Sequence, residues 1–304
     1  MSPPQQLTGF AEAAYDQVAA LDGRYLLPAL VLQVLTLVLK AGAWRNVIVA
    51  AYPGTRVSWL GVGCSYVAGV ALNAFLPARG GDAAKIGFLR AQLPGAKVTT
   101  LAGTMGALSL VDGLLGAMLA LGLWSAGLAP GLPGSWSSQN GAFIAGGLVT
   151  LAAGVLGLRR VLPQRLRRFL QRVGQGFAAL RSPALYARGV LPFQLAAWSC
   201  RIAVVWCVLA AFHIEAGVAT AALLVVLGGV SAAVPVPGGG GAQQVLATYA
   251  LYGVVSAASA LSFSIGLQVG ITAVNTAVGL IGAMILVRTV RPLAAVRALR
   301  ASRR

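Results

Sequence analysis

The sequence predicts an all-α, polytopic helical membrane protein with two inverted repeats and two re-entrant hairpins made of broken helices. Three observations lead to this prediction: the composition is apolar, apolar runs of spanning length recur, and two glycine-rich breaks follow shorter apolar runs. The chain has 304 residues, of which 58% are hydrophobic and 10% are charged. Since soluble domains carry roughly 25% charged residues, this composition indicates an integral membrane protein.

Five apolar runs are long enough to cross a bilayer as helices, which takes about 20 residues. The runs are continuous rather than alternating, and this favours helices over barrel strands. The opening "MSPPQQLTGF" has no basic region followed by an apolar core, so we expect no cleavable signal peptide. The predicted spans are Tyr25–Trp44, Val98–Leu123, Gly141–Leu158, Val190–Phe212 and Leu261–Val287.

Two shorter apolar runs each lead into a proline- and glycine-rich break and then into another short helix. The first run, Val57–Leu76, enters "NAFLPARGGDAAKIGFLR", and the second, Val218–Val234, enters "SAAVPVPGGGGAQQVLA". The segments after the breaks, Asp82–Gln92 and Ala242–Ser256, are predicted to be helical. Pro77-Ala-Arg79-Gly80-Gly81 aligns with Pro235-Val-Pro237-Gly238-Gly239. Related halves with discontinuous helices are typical of transporters built from inverted repeats.

Basic residues are concentrated in alternate connections and predict the orientation. Residues 159–188 contain eight arginines and no acidic residue, and the tail after Val287 contains six more arginines. Lys40, Arg45 and Arg56 are interpreted as flanking the first connection on the same side. By the positive-inside rule these segments are cytoplasmic and the N-terminus is outside, which predicts a multi-pass protein of the cell (inner) membrane.

The same reasoning limits how often each hairpin crosses the membrane. Trp44 and Lys97 are predicted on one side, so the chain between them crosses an even number of times. A re-entrant hairpin and two full crossings both satisfy this count. We favour re-entry, from the cytoplasm for residues 57–92 and from outside for residues 218–256, because Asp82–Gln92 is too short to span.

The predicted organisation is a single membrane domain, residues 1–304. It divides into a first repeat (25–123), a connector (124–189), a second repeat (190–287) and a basic cytoplasmic tail (288–304). Within the connector, Pro163–Leu180 has an apolar face and an arginine face. This pattern indicates either a helix on the anionic inner leaflet or a plain determinant of topology.

Several functional classes are not supported by the sequence. The net charge of +17 suggests nucleic acid at first, but the arginines lie between spans without interleaved aromatic residues, so we expect no nucleic-acid partner. One histidine and three unpaired cysteines provide neither a catalytic triad nor a metal site. No nucleotide-binding loop is present. We therefore expect no enzymatic activity, no catalytic residue, no metal and no cofactor.

Polar residues at the breaks and inside the spans are the candidate binding residues. Irregular backbone at membrane depth is tolerated where it is buried or lines a wet cavity, and a helix that restarts there presents its positive end to anions. A charge in the middle of a span costs about 2.5–3.5 kcal/mol and needs a partner or a cavity. The candidates are Asn73, Pro77, Arg79, Gly80, Asp82, Lys85, Asp112, Arg201, Pro237, Gly238, Gly239, Gln244 and Asn275.

Simpler structural roles compete with binding for several of these residues. Asp82 either caps the helix after the break or contacts a ligand, and Asn73 bonds either the broken backbone or a ligand. Asp112 and Arg201 either neutralise each other, or Arg201 meets an anionic headgroup while Asp112 balances the charge or carries a proton. Small residues at steps of four, Gly61, Ser65, Gly69 and Asn73, are interpreted as a close helix-packing face.

These segments resemble the lysylphosphatidylglycerol synthase transmembrane region, also called the flippase-like membrane family. "NAFLPARGGDAAKIGFLR" resembles its N-x-x-LP-x-R-x-GD-x-x-R segment, and "KAGAWRNVI", "SLVDGLLG" and "PVPGGGGAQQ" resemble three others. The resemblance covers about residues 25–290. This chain has Gln244 where the family has glutamate, Leu108-Ser109 where it has Glu-Arg, and Lys85 where it has arginine.

The resemblance implies movement of lipid headgroups between leaflets. We expect a translocase for an anionic phospholipid or lipid-linked glycan, in which Arg79, Lys85 and Arg201 hold phosphate and the remaining polar candidates hydrogen-bond the head. Two alternatives remain: a membrane glycosyl- or phospho-transferase that uses Asp82 or Asp112, and a subunit that presents lipid to a separate synthase. A lipid-modifying transferase and a second copy of the chain are the possible protein partners.

Overall fold

The computed structural model describes residues 21–76, 80–93, 95–128, 177, 182–231 and 241–301, with the backbone alone for 230–231 and 289–301. These residues form nine α-helices and no strand. The helices are α1 Gly23–Ala51, α2 Trp59–Asn73, α3 Gly80–Gln92, α4 Val98–Ser125, α5 Pro183–Gly189, α6 Leu191–Ala211, α7 Val218–Ser231, α8 Ala242–Ala250 and α9 Ala257–Ala301.

Local sequence signals set the ends of the helices. Helix α1 begins after Asp22, whose side chain accepts a hydrogen bond from the backbone N–H of Arg24 at 2.9 Å, an N-cap arrangement. It ends just before a turn at Gly54, which has φ +82°, a conformation that glycine adopts without strain. Helix α2 begins after Ser58, which accepts from the N–H of Gly61.

Four helices are long and apolar enough to cross a membrane: α1, α4, α6 and the stretch Ala257–Arg288 of α9. Four of the five predicted spans are thereby confirmed as helices, and the fifth, Gly141–Leu158, lies outside the described residues. One interpretation was wrong. Helix α1 continues past Trp44 to Ala51, so Lys40 and Arg45 lie within the helix instead of flanking it.

Four short helices occupy the two predicted hairpins. Helices α2 and α3 have 15 and 13 residues, and α7 and α8 have 14 and 9. At 1.5 Å per residue, even the longest covers about 22 Å, less than the ~30 Å hydrocarbon core. In the first hairpin one helix ends at Asn73 and the next begins at Gly80, and in the second hairpin α8 begins at Ala242 after Gly241, which has φ +84°.

The two halves of the described chain repeat one set of helix contacts. Helix α1 packs on α2 as α6 packs on α7, α2 packs on α3 as α7 packs on α8, and α3 packs on α4 as α8 packs on α9. Contacts between the halves also correspond, since α2 packs against α9 and α7 against α4, while α1 packs along α6. The first helix of each half therefore lies at the centre of the molecule.

Apolar side chains face both inward and outward, as expected of a protein surrounded by lipid. One buried cluster contains Trp44, Ile48 and Leu101, and another contains Leu209 and Phe263. Large apolar side chains also cover the outside: Leu27, Met118 and Val269 are each more than 60% exposed. Large exposed apolar side chains on spanning helices form the surface that contacts the acyl chains of the bilayer.

The predicted packing face on α2 is confirmed, and its partner is α3. Gln92 of α3 donates to Ser65 Oγ at 2.9 Å and to the carbonyl oxygen of Gly61 at 3.4 Å. A Cβ atom added to Gly69 would lie 2.6 Å from the carbonyl oxygen of Gly81. Since glycine alone permits such close backbone approach, this face fixes how the two helices of the first hairpin meet.

This contact predicts that Gly81→Ala destabilises the protein by about 1–3 kcal/mol, the usual cost of overpacking. The new Cβ would lie 2.1 Å from the carbonyl oxygen of Gly69, so the two backbones would have to separate. Gly87→Ala is the matched control, because it lies on the same helix with no atom within 4 Å of its Cβ position. Thermal unfolding in detergent compares the two variants, and equal melting temperatures would contradict the proposed contact.

Candidate functional site

A buried ion pair lies at the centre of the first half. Lys40 of α1 donates to the Asp112 carboxylate of α4. The Lys40 side chain is 10% exposed and that of Asp112 is 26% exposed, so the carboxylate is the more accessible partner. Pairing offsets the cost of two charges at membrane depth, and it joins two of the spanning helices.

Asp112 also accepts two hydrogen bonds from α6. The side-chain N–H groups of Gln194 and Trp198 both donate to its Oδ1, each at 3.3 Å. Gln194 is fully buried and accepts a hydrogen bond from the hydroxyl of Tyr186 on α5. Burial, with a smaller contribution from the Asp112 charge, raises the pKa of Tyr186 to about 12, so the phenol remains a neutral donor at physiological pH.

Arg201 lies on the same helix face as Trp198, and its guanidinium is 5.1 Å from the centre of the Trp198 ring. Within the part of the chain that the structure describes, Arg201 makes no ion pair. Asp112 and Arg201 form no direct ion pair, because the carboxylate pairs with Lys40 and the guanidinium packs over the Trp198 indole, but Asp112 still attracts the charge of Arg201. Stacking on tryptophan stabilises a cation without cancelling its charge.

A second ion pair lies within α3, and a hydrogen bond from α2 reaches its carboxylate. Lys85 of α3 donates to Asp82 Oδ1 at 2.7 Å, and the side-chain amide of Asn73, the last residue of α2, donates to the same oxygen at 3.1 Å. Asp82 lies in the first turn of α3, where a carboxylate interacts favourably with the helix dipole. Here too the lysine is the more buried partner, since its side chain is 5% exposed against 33% for Asp82.

Tyr66 of α2 lies between these two ion pairs. The Lys85 ammonium is 4.5 Å from the centre of its ring, and the ring packs against Trp44 with centroids 6.1 Å apart. The Tyr66 hydroxyl is within electrostatic range of Asp82, Asp112 and Arg201. The two pairs and Arg201 therefore form one polar cluster, which we call the central cluster: Lys40, Tyr66, Asn73, Asp82, Lys85, Asp112, Gln194, Trp198 and Arg201.

The central cluster has an excess of positive charge. It contains three cations, Lys40, Lys85 and Arg201, and both Lys85 and Arg201 are close enough to Lys40 to interact with its charge. Two carboxylates pair with the lysines, and within the described residues Arg201 has no carboxylate at ion-pair distance, although Asp112 attracts it from further away. Since a charge without a close partner among membrane spans is costly, the arrangement suits a ligand that brings a negative charge, with two partly exposed carboxylates able to accept from its hydroxyl groups.

Two predicted residues have partners away from the central cluster. Gln244 of α8 donates to Gln268 of α9 at 2.7 Å, and Asn275 of α9 accepts from Gln33 of α1 at 2.9 Å. The side-chain oxygens of Asn73 and Gln244 are buried and have no hydrogen-bond partner among the described residues. Gly80 is the first residue of α3. The remaining candidates, Pro77, Arg79, Pro237, Gly238 and Gly239, lie outside the described residues.

Sequence reasoning missed Lys40, Tyr66, Gln194 and Trp198. A signal was available for Lys40: Gln33, Thr36 and Lys40 recur at helical spacing within an apolar run, and all three are buried. A lysine interrupting such a run indicates a partner inside the membrane just as Asp112 does. The aromatic residues and Gln194 carry no comparable signal, because tryptophan, tyrosine and glutamine are common near the ends of spans.

Comparison with known proteins gives one match. The family described as lysylphosphatidylglycerol synthase TM region matches residues 8–279, which is most of the chain. No curated protein and no solved structure matches.

Proposed function

The chain belongs to the lysylphosphatidylglycerol synthase TM region family, and from this premise we propose that it moves an anionic phospholipid or a lipid-linked glycan between membrane leaflets. It is a membrane protein, and the family name connects it with lipid handling. In this proposal the protein changes the position of the lipid and forms or breaks no covalent bond.

The observation that carries the proposal is the excess positive charge of the central cluster at membrane depth. Arg201 is a planar, permanently charged donor suited to phosphate oxygens, and in the described structure it has an aromatic neighbour in place of an anion. A lipid phosphate at this position would supply the missing charge. The partly exposed carboxylates of Asp82 and Asp112 would accept hydrogen bonds from glycerol or sugar hydroxyl groups, as would the unpartnered oxygen of Asn73.

The architecture supports a transport function in two further ways. The contacts of the first four helices recur among α6–α9, as expected of two related halves. The helix pairs α2–α3 and α7–α8 are too short to span, which supports re-entrant hairpins. We propose that the halves are inverted repeats, as in transporters that alternate access to a central site.

We also propose the orientation that basic residues indicate, with the N-terminus outside and the arginine-rich segment after Val287 on the cytoplasmic side of the cell (inner) membrane. Any partner would be a separate lipid-modifying transferase or a second copy of this chain. Such a transferase would supply or consume the lipid that the translocase moves.

A vesicle assay tests the proposal directly. Purified protein is reconstituted into vesicles containing a trace of fluorescent phosphatidylglycerol, and a membrane-impermeant reductant bleaches the label in the outer leaflet. We expect protein-containing vesicles to lose the inner-leaflet signal as well, and to do so faster for phosphatidylglycerol than for labelled phosphatidylcholine. Bleaching identical to that of protein-free vesicles for every lipid tested would overturn the proposal. Movement that required an added transferase would favour a lipid-presenting subunit.

A further inference from the structure

An apolar cleft lies between α1, α6 and α9, at the end of the molecule where α1 begins. Its volume is about 400 Å³, within the range of roughly 300–1,000 Å³ for small-molecule sites. Its walls include Leu26 and Leu30 of α1, Val204 and Val208 of α6, and Val269 of α9. All three helices are candidate membrane spans, so the cleft opens where acyl chains surround the protein.

One wall residue of this cleft, Gly270, has no side chain. Gly270 of α9 lines the cleft, and a Cβ atom added there would meet no atom within 4 Å. A large side chain at residue 270 would extend into this free space. The cleft is thus a cavity that one substitution on one helix face is able to fill.

A polar stripe on α1 connects the cleft to the central cluster. Gln33 lines the inner end of the cleft, and Thr36 and Lys40 follow on the same buried face of α1. Gln33 donates to Asn275, Thr36 donates to the carbonyl oxygen of Leu32, and Lys40 donates to Asp112. From Gln33 to Lys40 the helix rises about 10 Å, a span that the glycerol and ester part of one lipid can cover.

We infer that this cleft holds an acyl chain of the same lipid whose phosphate is bound at the central cluster. The inference rests on the proposed function and adds a second contact for the substrate, which makes the protein recognise the apolar part of the lipid as well as its head. We assign the cleft to a chain of the bound lipid because the cleft and the polar stripe are continuous: Gln33 belongs to both. The ester oxygens would lie beside Gln33 and Asn275, whose side-chain N–H groups are suited to donate hydrogen bonds to them.

Photo-crosslinking in detergent tests this inference without requiring transport. The probe is phosphatidylglycerol with a photoactivatable group at the end of one acyl chain, added to lipid-depleted protein. Labelled peptides are quantified by mass spectrometry relative to the α4 peptide around Met118, which is 68% exposed and reports nonspecific contact. We expect enrichment on the α6 and α9 peptides that contain Val208 and Gly270.

Gly270→Leu should lower that enrichment several-fold by filling the cleft. Gly229→Leu is the matched control, since Gly229 lies on the apolar helix α7 with no atom within 4 Å of its Cβ position but belongs neither to the cleft wall nor to the Met118 peptide. Equal labelling of the cleft peptides and the Met118 peptide in the wild type would overturn the inference. A protein segment that occupied the cleft would exclude the probe and give this same equal labelling. Enrichment without vesicle transport would leave the cleft site standing and refute the translocase proposal alone.

Discussion

Asp112→Leu is expected to destabilise the folded protein by about 3–5 kcal/mol, the usual cost of removing one partner from a buried ion pair. The change leaves the Lys40 ammonium buried without its carboxylate. It also removes the acceptor of Trp198 and one of the two acceptors of Gln194, which keeps its hydrogen bond to the carbonyl oxygen of Leu108. Unfolding by a denaturing detergent in mixed micelles, followed by circular dichroism, measures the change in the free energy of unfolding.

The double variant Lys40→Met/Asp112→Leu tests whether the loss of stability comes from leaving Lys40 without its partner. Replacing a whole buried ion pair by apolar residues of similar size is often neutral or stabilising, so the double variant should regain most of the lost stability. Lys40→Met alone should cost less than Asp112→Leu, because Asp112 keeps two neutral donors from α6. A double variant as unstable as Asp112→Leu would show that the pair does not determine stability here.

Arg201→Gln is expected to slow lipid movement by about 10- to 150-fold, with little loss of folding stability. Hydrogen bonds to charged groups contribute about 1.5–3 kcal/mol, which corresponds to that range of affinities. The fold should tolerate the change because, within the described residues, Arg201 has no carboxylate partner that would be left unpaired; its contact is the ring of Trp198. The measurement is the vesicle bleaching rate with fluorescent phosphatidylglycerol.

Arg188→Gln provides the matched control for this prediction. Arg188 is exposed in the last turn of α5, so the substitution removes the same charge outside the central cluster and should leave the rate near that of the wild type. If both variants lowered the rate equally, the effect would come from net charge, and Arg201 would lose its proposed role. The bleaching rate with Arg201→Lys should lie between the rates with Arg201→Gln and Arg188→Gln, since lysine keeps the charge but loses the paired donors of guanidinium.

Local composition was sufficient to predict the all-helical membrane fold, the four described spans and the short helices beside the proline- and glycine-rich segments. An apolar run commits a segment to the membrane because of its own transfer free energy, and proline and glycine interrupt a helix through their own backbone. The close face of α2 was predictable for the same reason, since glycine and serine at steps of four lie on one side of any helix. Asp112 was identified as a residue that needs a partner.

The tertiary structure alone decided which partner that is. Lys40 and Asp112 are 72 residues apart, and Trp198 and Gln194 reach Asp112 from more than 80 residues away, so their meeting depends on how α1, α4 and α6 pack. Spacing along a chain specifies which residues share a helix face but not which face of another helix they meet. The sequence therefore determined that charges lie inside the membrane, whereas packing determined that both lysines pair with carboxylates and that Arg201 packs over Trp198.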